Sequence, residues 1–398
     1  MDINKRKQEV QWLLSSGNLE SGIKRAMDFI KDFGNTKQTI VNIVELSHQF
    51  NTQKLDKALD ETAKQTLTFS VFKLLDEAEQ DFYKLQKQAI GNETALILRG
   101  VQKSFLSNRF QLTDINADFK LGEITGIVGP NANGKSTLMR IAVGELVADK
   151  GELTFPYFEK VNPQLTWDTL KHLIAYVPQE LPRWQGELKD NLRYEAALHG
   201  IYGEENELEV DYIIERLGLT RYKNAHWSQL SGGYKLRFAL AKALIWKPIV
   251  LVLDEPLANL DVNAQTLVLN DLKDLAHSFL TPISVLISSQ HIHEIEHVAD
   301  NIIVLEEGAV KYNGKRSEYG LTNNYHIFEF SCTTAPKDLE NIFTQIPSAK
   351  MRSHGYYYSL KTDKTVSSQT VLSAFQTHNI QVDYFRDISR SVKQMFLS

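Results

Sequence analysis

Nine residues, Gly129-Pro130-Asn131-Ala132-Asn133-Gly134-Lys135-Ser136-Thr137, constrain this chain more than any others. They fit G-x-x-x-x-G-K-[ST], a loop whose backbone N–H groups close around an anion. The apolar run Ile124-Thr125-Gly126-Ile127-Val128 precedes them, and Leu138-Met139-Arg140-Ile141 follows. Strand, loop and helix in that order put a helix N-terminus at the back of a phosphate cradle. Lys135 is then expected to neutralise β- and γ-phosphate oxygens and Ser136 to ligate Mg2+. Gly129, Asn131, Asn133, Gly134 and Thr137 complete the expected nucleotide contacts.

A Mg2+ site also needs a carboxylate at the end of a neighbouring strand. Ile249-Val250-Leu251-Val252-Leu253-Asp254-Glu255 supplies one, because an unbroken apolar run before acids reads as a buried parallel strand. Asp254 is expected to hold Mg2+ through water. Glu255 is expected to act as general base on the attacking water, a role typically contributing about 10²–10⁴-fold in rate.

From here the chain resembles the nucleotide-binding subunit of ABC transporters, over roughly residues 96–318. Tyr176-Val177-Pro178-Gln179 looks like the family's Q-loop and Leu230-Ser231-Gly232-Gly233 like its signature. Asp254-Glu255-Pro256 follows, then Ala258-Asn259-Leu260-Asp261 as the D-loop, then Ser288-Ser289-Gln290-His291 where the family places a switch histidine. The resemblance implies ATP and Mg2+ as cofactors and ATP hydrolysis as the activity. It implies that two subunits pack head to tail, so that Ser231, Gly232 and Gly233 reach the γ-phosphate held by the partner; an ordinary helix start capped by Ser231 is the alternative. It gives Gln179 to Mg2+ or the attacking water, His291 to the γ-phosphate, Asp261 to the dimer seam and Phe105 to the adenine ring. Two positions depart from the pattern. Ala132 stands where the family has glycine, which matters if φ is positive there, and Tyr234 stands where glutamine is frequent.

Composition sets the frame. The chain has 398 residues, net charge −5 and a single cysteine, Cys332. Length suggests more than one domain. The charge gives no electrostatic case for nucleic acid, and one thiol makes no internal disulfide, which fits a reducing cytoplasm. No apolar run reaches the roughly 18–20 residues that span a bilayer, so a membrane is expected to be reached through a partner, on its inner face.

Three regions follow. Residues 1–88 carry apolar positions at spacings of three and four, such as Ile23, Met27, Ile30 and Leu67, Val71, Leu74, Ala78, and are expected to form an all-α bundle. Residues 96–318 alternate short apolar runs with helical stretches and are expected to form an α/β ATPase domain with a helical subdomain. Gln86–Glu93 reads as a linker. Residues 325–398 are expected to form a small α+β, ferredoxin-like domain, with Phe328, Phe330 and Cys332 along one strand and Tyr356, Tyr358 and Leu360 along another.

Asp383–Ser389 and the following Ser391–Leu397 are similar to the C-terminal domain of exporter-type ATPases. That implies a separate membrane permease; the family resemblance of residues 96–318 implies a second ABC ATPase subunit, as a homodimer. Residues 1–88 resemble effector-associated adaptor domains, which implies a protein partner for the bundle. The rival reading is a soluble ATP-gated switch in signalling or defence, with nothing transported.

Overall fold

The computed structural model describes all residues except 1–2, 35, 57–58, 86–92, 106–109, 165, 259, 279, 291, 320–323 and 390–398. The linker expected over residues 86–93 lies almost wholly outside the described residues, as do Ser391–Leu397.

The first helices are α1 (Ile3–Ser15), α2 (Leu19–Phe33), α3 (Lys37–Leu55) and α4 (Glu61–Leu85). The turn into α2 uses Gly17 at φ 84°, and α3 is capped by the Thr36 side chain, which accepts from the Thr39 N–H. Val10, Ile23, Met27, Ile30, Val71, Leu74 and Ala78 share one buried core. The expected spacing therefore marks the packed faces. One member of this core comes from much later in the chain: Tyr212.

The central sheet has nine strands: β1 (Thr94–Ser104), β2 (Gln111–Lys120), β3 (Ile124–Val128), β4 (Lys150–Thr154), β5 (Ile174–Val177), β6 (Val250–Leu253), β7 (Ser284–Ser289), β8 (Asn301–Glu306) and β9 (Ala309–Lys315). Their order is β4-β1-β2-β9-β8-β3-β7-β6-β5. The block β8-β3-β7-β6-β5 is parallel, and β3, β6 and β7 are buried at every position. That is why β6 reads as an unbroken apolar run, while β7 buries three serines beside its apolar residues. Around the sheet lie α5 (Lys135–Ala142), α6 (Pro156–Val161), α7 (Trp167–Lys171), α8 (Leu188–Leu198), α9 (Gly203–Arg216), α10 (Gly232–Leu244), α11 (Val262–Ala276) and α12 (Ile292–Ile295).

The bundle and this α/β body belong to one compact unit, residues 1–313. Charge fastens them. Arg216 on α9 has no exposed surface and donates to both oxygens of Asp28 on α2, at 2.6 and 2.8 Å, and to Asp271 on α11 at 2.8 Å. Burial alone would push its guanidinium down; Asp28 and Asp271 hold it well above the ordinary value. Glu215 accepts from Asn51 of α3 at 2.8 Å and pairs with His48 at 2.8 Å. Lys31 pairs with Glu209 at 2.7 Å, and Arg25 with Asp274 at 2.7 Å.

The second unit, residues 314–398, holds β10 (Tyr325–Cys332), α13 (Pro336–Phe343), β11 (Lys350–Ser353), β12 (Tyr358–Asp363), α14 (Ser368–Thr377) and β13 (Val382–Asp387). Its sheet order is β11-β12-β10-β13, antiparallel throughout. This is the ferredoxin-like β-α-β-β-α-β arrangement. Phe328, Phe330, Phe343 and Phe375 form its centre. One expectation needs correction. Tyr356 does not alternate along β12: Gly355 at φ 86° turns the chain there, and Tyr356 is 98% exposed.

Candidate functional site

The nine-residue loop leaves the end of β3 and enters α5. Gly134 has φ 94°, and a Cβ there would meet Leu112 at 2.5 Å and the Phe110 ring at 2.6 Å. At Gly129 a Cβ would lie 2.3 Å from the Leu305 carbonyl of β8. Both glycines are thus required by sterics. Ala132 has φ 61°, the left-handed region that costs a non-glycine residue about 1–2 kcal/mol. The departure noted in the sequence therefore falls on a strained position.

The loop borders a cavity of about 900 Å3 lined by Phe105, Phe110, Asn131 through Thr137, Gln179, Glu255 and Gln290, with Gln111 and Glu307 at its margin. Lys135 is only 4% exposed, and its Nζ donates to the carbonyls of Gly129 at 2.8 Å and Pro130 at 3.1 Å. The same Nζ lies 3.1 Å from Glu255 Oε1. Gln179, two residues past the end of β5, reaches Glu255 Oε2 at 3.4 Å, and Gln290 Nε2 also donates to Oε2. Asn133 accepts from the Glu307 N–H and donates to the Asn131 carbonyl at 3.2 Å.

Glu255 itself sits at φ 44°. A non-glycine residue held there is strained by order 1–3 kcal/mol, and such strain gathers at functional positions. Its neighbours over-determine it. The Glu255 N–H donates to Ser288 Oγ at 2.7 Å, and that hydroxyl donates to Asp254 Oδ1 at 2.7 Å. The Tyr176 hydroxyl donates to Asp254 Oδ2 at 3.4 Å. Burial and then Asp254 push the Tyr176 phenol above its ordinary range, so it stays protonated. Asp254 is 3% exposed and stands behind Glu255, outside the cavity lining.

The structure thus gathers Phe105, Asn131, Asn133, Gly134, Lys135, Ser136, Thr137, Gln179 and Glu255 around one space. It does not bring Ser231, Gly232, Gly233 or Asp261 there. Ser231 precedes α10 and makes no side-chain cap bond. Gly233 would accept a Cβ at ordinary contact distance, 3.4 Å from Ala264. Asp261 caps α11, accepting from the Ala264 N–H at 2.9 Å. Tyr234 packs on Tyr222 within the chain, with ring centroids 4.1 Å apart. His291 lies outside the described residues.

Sequence reasoning passed over Phe110, Ser288, Gln290 and Tyr176. Ser288 and Gln290 stand in a stretch already singled out at the end of β7, but nothing local says that their side chains converge on Glu255. Mg2+ calls for hard oxygen donors and keeps several waters. The hydroxyl of Ser136, the amide of Gln179 and the carboxylate of Asp254 are donors of that kind, so the residues fit the ion.

Residues 112–258 match the family model described as ABC transporter. The chain is 31% identical over 219 residues to an uncharacterized ABC transporter ATP-binding protein of Bacillus subtilis, a match that takes in 55% of this chain and 68% of that protein. It is 30% identical over 232 residues to a phosphonates import ATP-binding protein of Treponema denticola, covering 55% of this chain and 89% of that protein. It is 26% identical over 297 residues to ABC transporter A family member 1 of Dictyostelium discoideum, covering 72% of this chain. The chain spans about a third, 33%, of that last relative's length. A phosphate loop ending a buried strand, with the Asp254-Glu255 pair two strands away, is what the matched segment encodes. This chain belongs to the ABC transporter family and carries its ATP-binding domain, the ATPase part of such transporters.

Proposed function

We propose that this chain is the ATP-hydrolysing subunit of an ABC exporter, and that two copies close head to tail on two ATP molecules to drive a separate membrane permease. The division of labour would follow 1–88 as an adaptor-like bundle, 96–318 as the ATPase and 325–398 as a small α+β C-terminal domain. The observation that carries the reading is an asymmetry. The loop, Lys135, Gln179 and Glu255 surround one cavity, whereas Ser231 and Gly232 are exposed at the start of α10. Packing within the chain explains neither the Ser231 hydroxyl nor the glycine at 233. A γ-phosphate presented by a second copy explains both.

In the proposed cycle the triphosphate enters along the loop N–H groups, and its oxygens compete with Glu255 for Lys135. Glu255 is then free to take a proton from water as the water oxygen attacks the γ-phosphorus and ADP leaves. Gln179 and Gln290 keep the Glu255 carboxylate aimed during this step. Mg2+, held by Ser136, Gln179 and water on Asp254, would offset charge on the phosphate oxygens. His291 is proposed as a γ-phosphate donor, Asp261 as part of the seam and Phe105 as the adenine platform. The lining position of Phe110 makes it a second aromatic of the same wall.

Export rests on the similarity of Asp383–Ser389 to exporter-type ATPases. No helix among the described residues is long and apolar enough to cross a membrane. A protein partner for the bundle would meet α4, since α1, α2 and α3 each bond the body of the same chain. The test is Glu255→Gln in gel filtration with Mg-ATP. The reading expects a stable ATP-bound dimer; a variant that binds ATP and stays monomeric would overturn it.

A further inference from the structure

A second cavity, of about 400 Å3, lies where the bundle meets the body, and the ATP reading makes no use of it. It sits by Ile249 and Ile283, the residues just before β6 and β7. The phosphate loop follows the opposite end of the parallel strand β3. The two sites therefore lie at opposite ends of the parallel strands. The floor of this cavity is apolar, with Tyr157, Tyr212, Ile245, Leu275, Leu280 and Ile283. Asp28, Lys31, Asp32, Glu209, Lys247 and Asp274 also line it. An apolar floor with a few convergent charges is the usual make-up of a small-molecule site.

The charges are not evenly matched. Asp32 has Arg6 at 2.8 Å and Asp274 has Arg25 at 2.7 Å, while Asp28 shares Arg216, at 2.6 Å, with Asp271 at 2.8 Å. Lys31 and Lys247 instead share the single carboxylate of Glu209, at 2.7 and 2.9 Å. Glu205 adds only attraction from further off. Burial first, and then the neighbouring Lys247 against the pull of Glu209, leave the Lys31 ammonium below its ordinary value. Lys247 is also held at φ 59°, directly before Pro248, a placement a lysine adopts only under constraint.

We propose that this cavity is a binding site for an amphiphilic monoanion, a medium-chain carboxylate whose head completes the Lys31–Lys247 pair and whose tail lies on the apolar floor. Such a ligand touches α2 of the bundle, α9, and the ends of the parallel strands at once. It therefore stabilises the bundle in its seat, by mass action.

Titration calorimetry on the full chain, with octanoate, octylamine and octanol as probes, tests this. The expected result is saturable binding of octanoate, about tenfold tighter than either other probe, as one charge-assisted contact provides. Lys247→Gln, at a half-exposed side chain, should weaken octanoate several-fold. Leu280→Trp should remove its binding by filling the floor. Both variants should keep wild-type ATP binding. Absence of saturable octanoate binding, octylamine binding as tightly, or unchanged octanoate affinity in Lys247→Gln would each overturn the proposal. If Leu280→Trp melts early or fails to bind ATP, Lys247→Gln and the probe series decide alone.

Discussion

Two regions of this molecule bury basic side chains, and they do so to different ends. At the seam between bundle and body, Arg216 is enclosed on every side and spans α2, α9 and α11. At the phosphate loop, Lys135 is almost as buried but lines an open cavity of about 900 Å3. Arg216 itself does not line the cavity there, so its ion pairs are structural. The Lys135–Glu255 pair faces space that an anion can enter, so that pair is exchangeable. Burial and ion pairing alone do not separate structure from function; what the pair faces does.

That contrast can be broken in order of expected effect. Glu255→Gln should lower ATP turnover by about 10²–10⁴-fold, measured by phosphate release, while the melting temperature stays within about 4 °C. A collapse in stability would erase the distinction between the two regions. Arg216→Ala should cost about 3–5 kcal/mol of unfolding free energy in urea, because it strands Asp28 and Asp271 in a buried setting. ATP binding in the folded fraction should persist.

Asp274 sharpens the seam side. Burial, against the pull of Arg25 and Arg216, raises its carboxyl from 3.8 to about 6. The folded chain then binds more protons than the unfolded one between these values. Its contribution is full below pH 4 and is lost as pH rises to 6, a fall of about 3 kcal/mol. Asp274→Asn should flatten that slope in urea titrations across pH 4–6. The smallest effect belongs to the loop. Ala132→Gly should relieve the left-handed strain and, after the added backbone entropy of the unfolded chain, gain about 0.5–1 kcal/mol. A loss there would mean that the alanine methyl makes a contact worth keeping.

The loop itself was readable because its chemistry is local. Six residues of chain fix where Lys135 falls relative to Gly129, and an apolar run announces β3 and β6. The rest of the site is not local. Ser288 and Gln290 act on Glu255 from 33 and 35 residues away, through the pairing of β6 with β7. Phe110 enters by packing under Gly134. The seam was least legible of all: Asp28 and Arg216 lie 188 residues apart, and in sequence each is one more charge on a helix. The α+β order of the C-terminal unit was legible from alternating aromatic residues. Tyr356 misled because alternation continues on paper across a turn that Gly355 makes in space.

The central claim is that each ATP site is shared by two copies of this chain. It is tested most directly by mixing two inactive variants, Lys135→Ala and Ser231→Arg. In a head-to-tail dimer the mixed pair joins an intact phosphate loop from one copy to an intact signature from the other. The account predicts ATP hydrolysis in the mixture well above either variant alone. Mixed dimers, verified by cross-linking, that hydrolyse no more than the separate variants would contradict it.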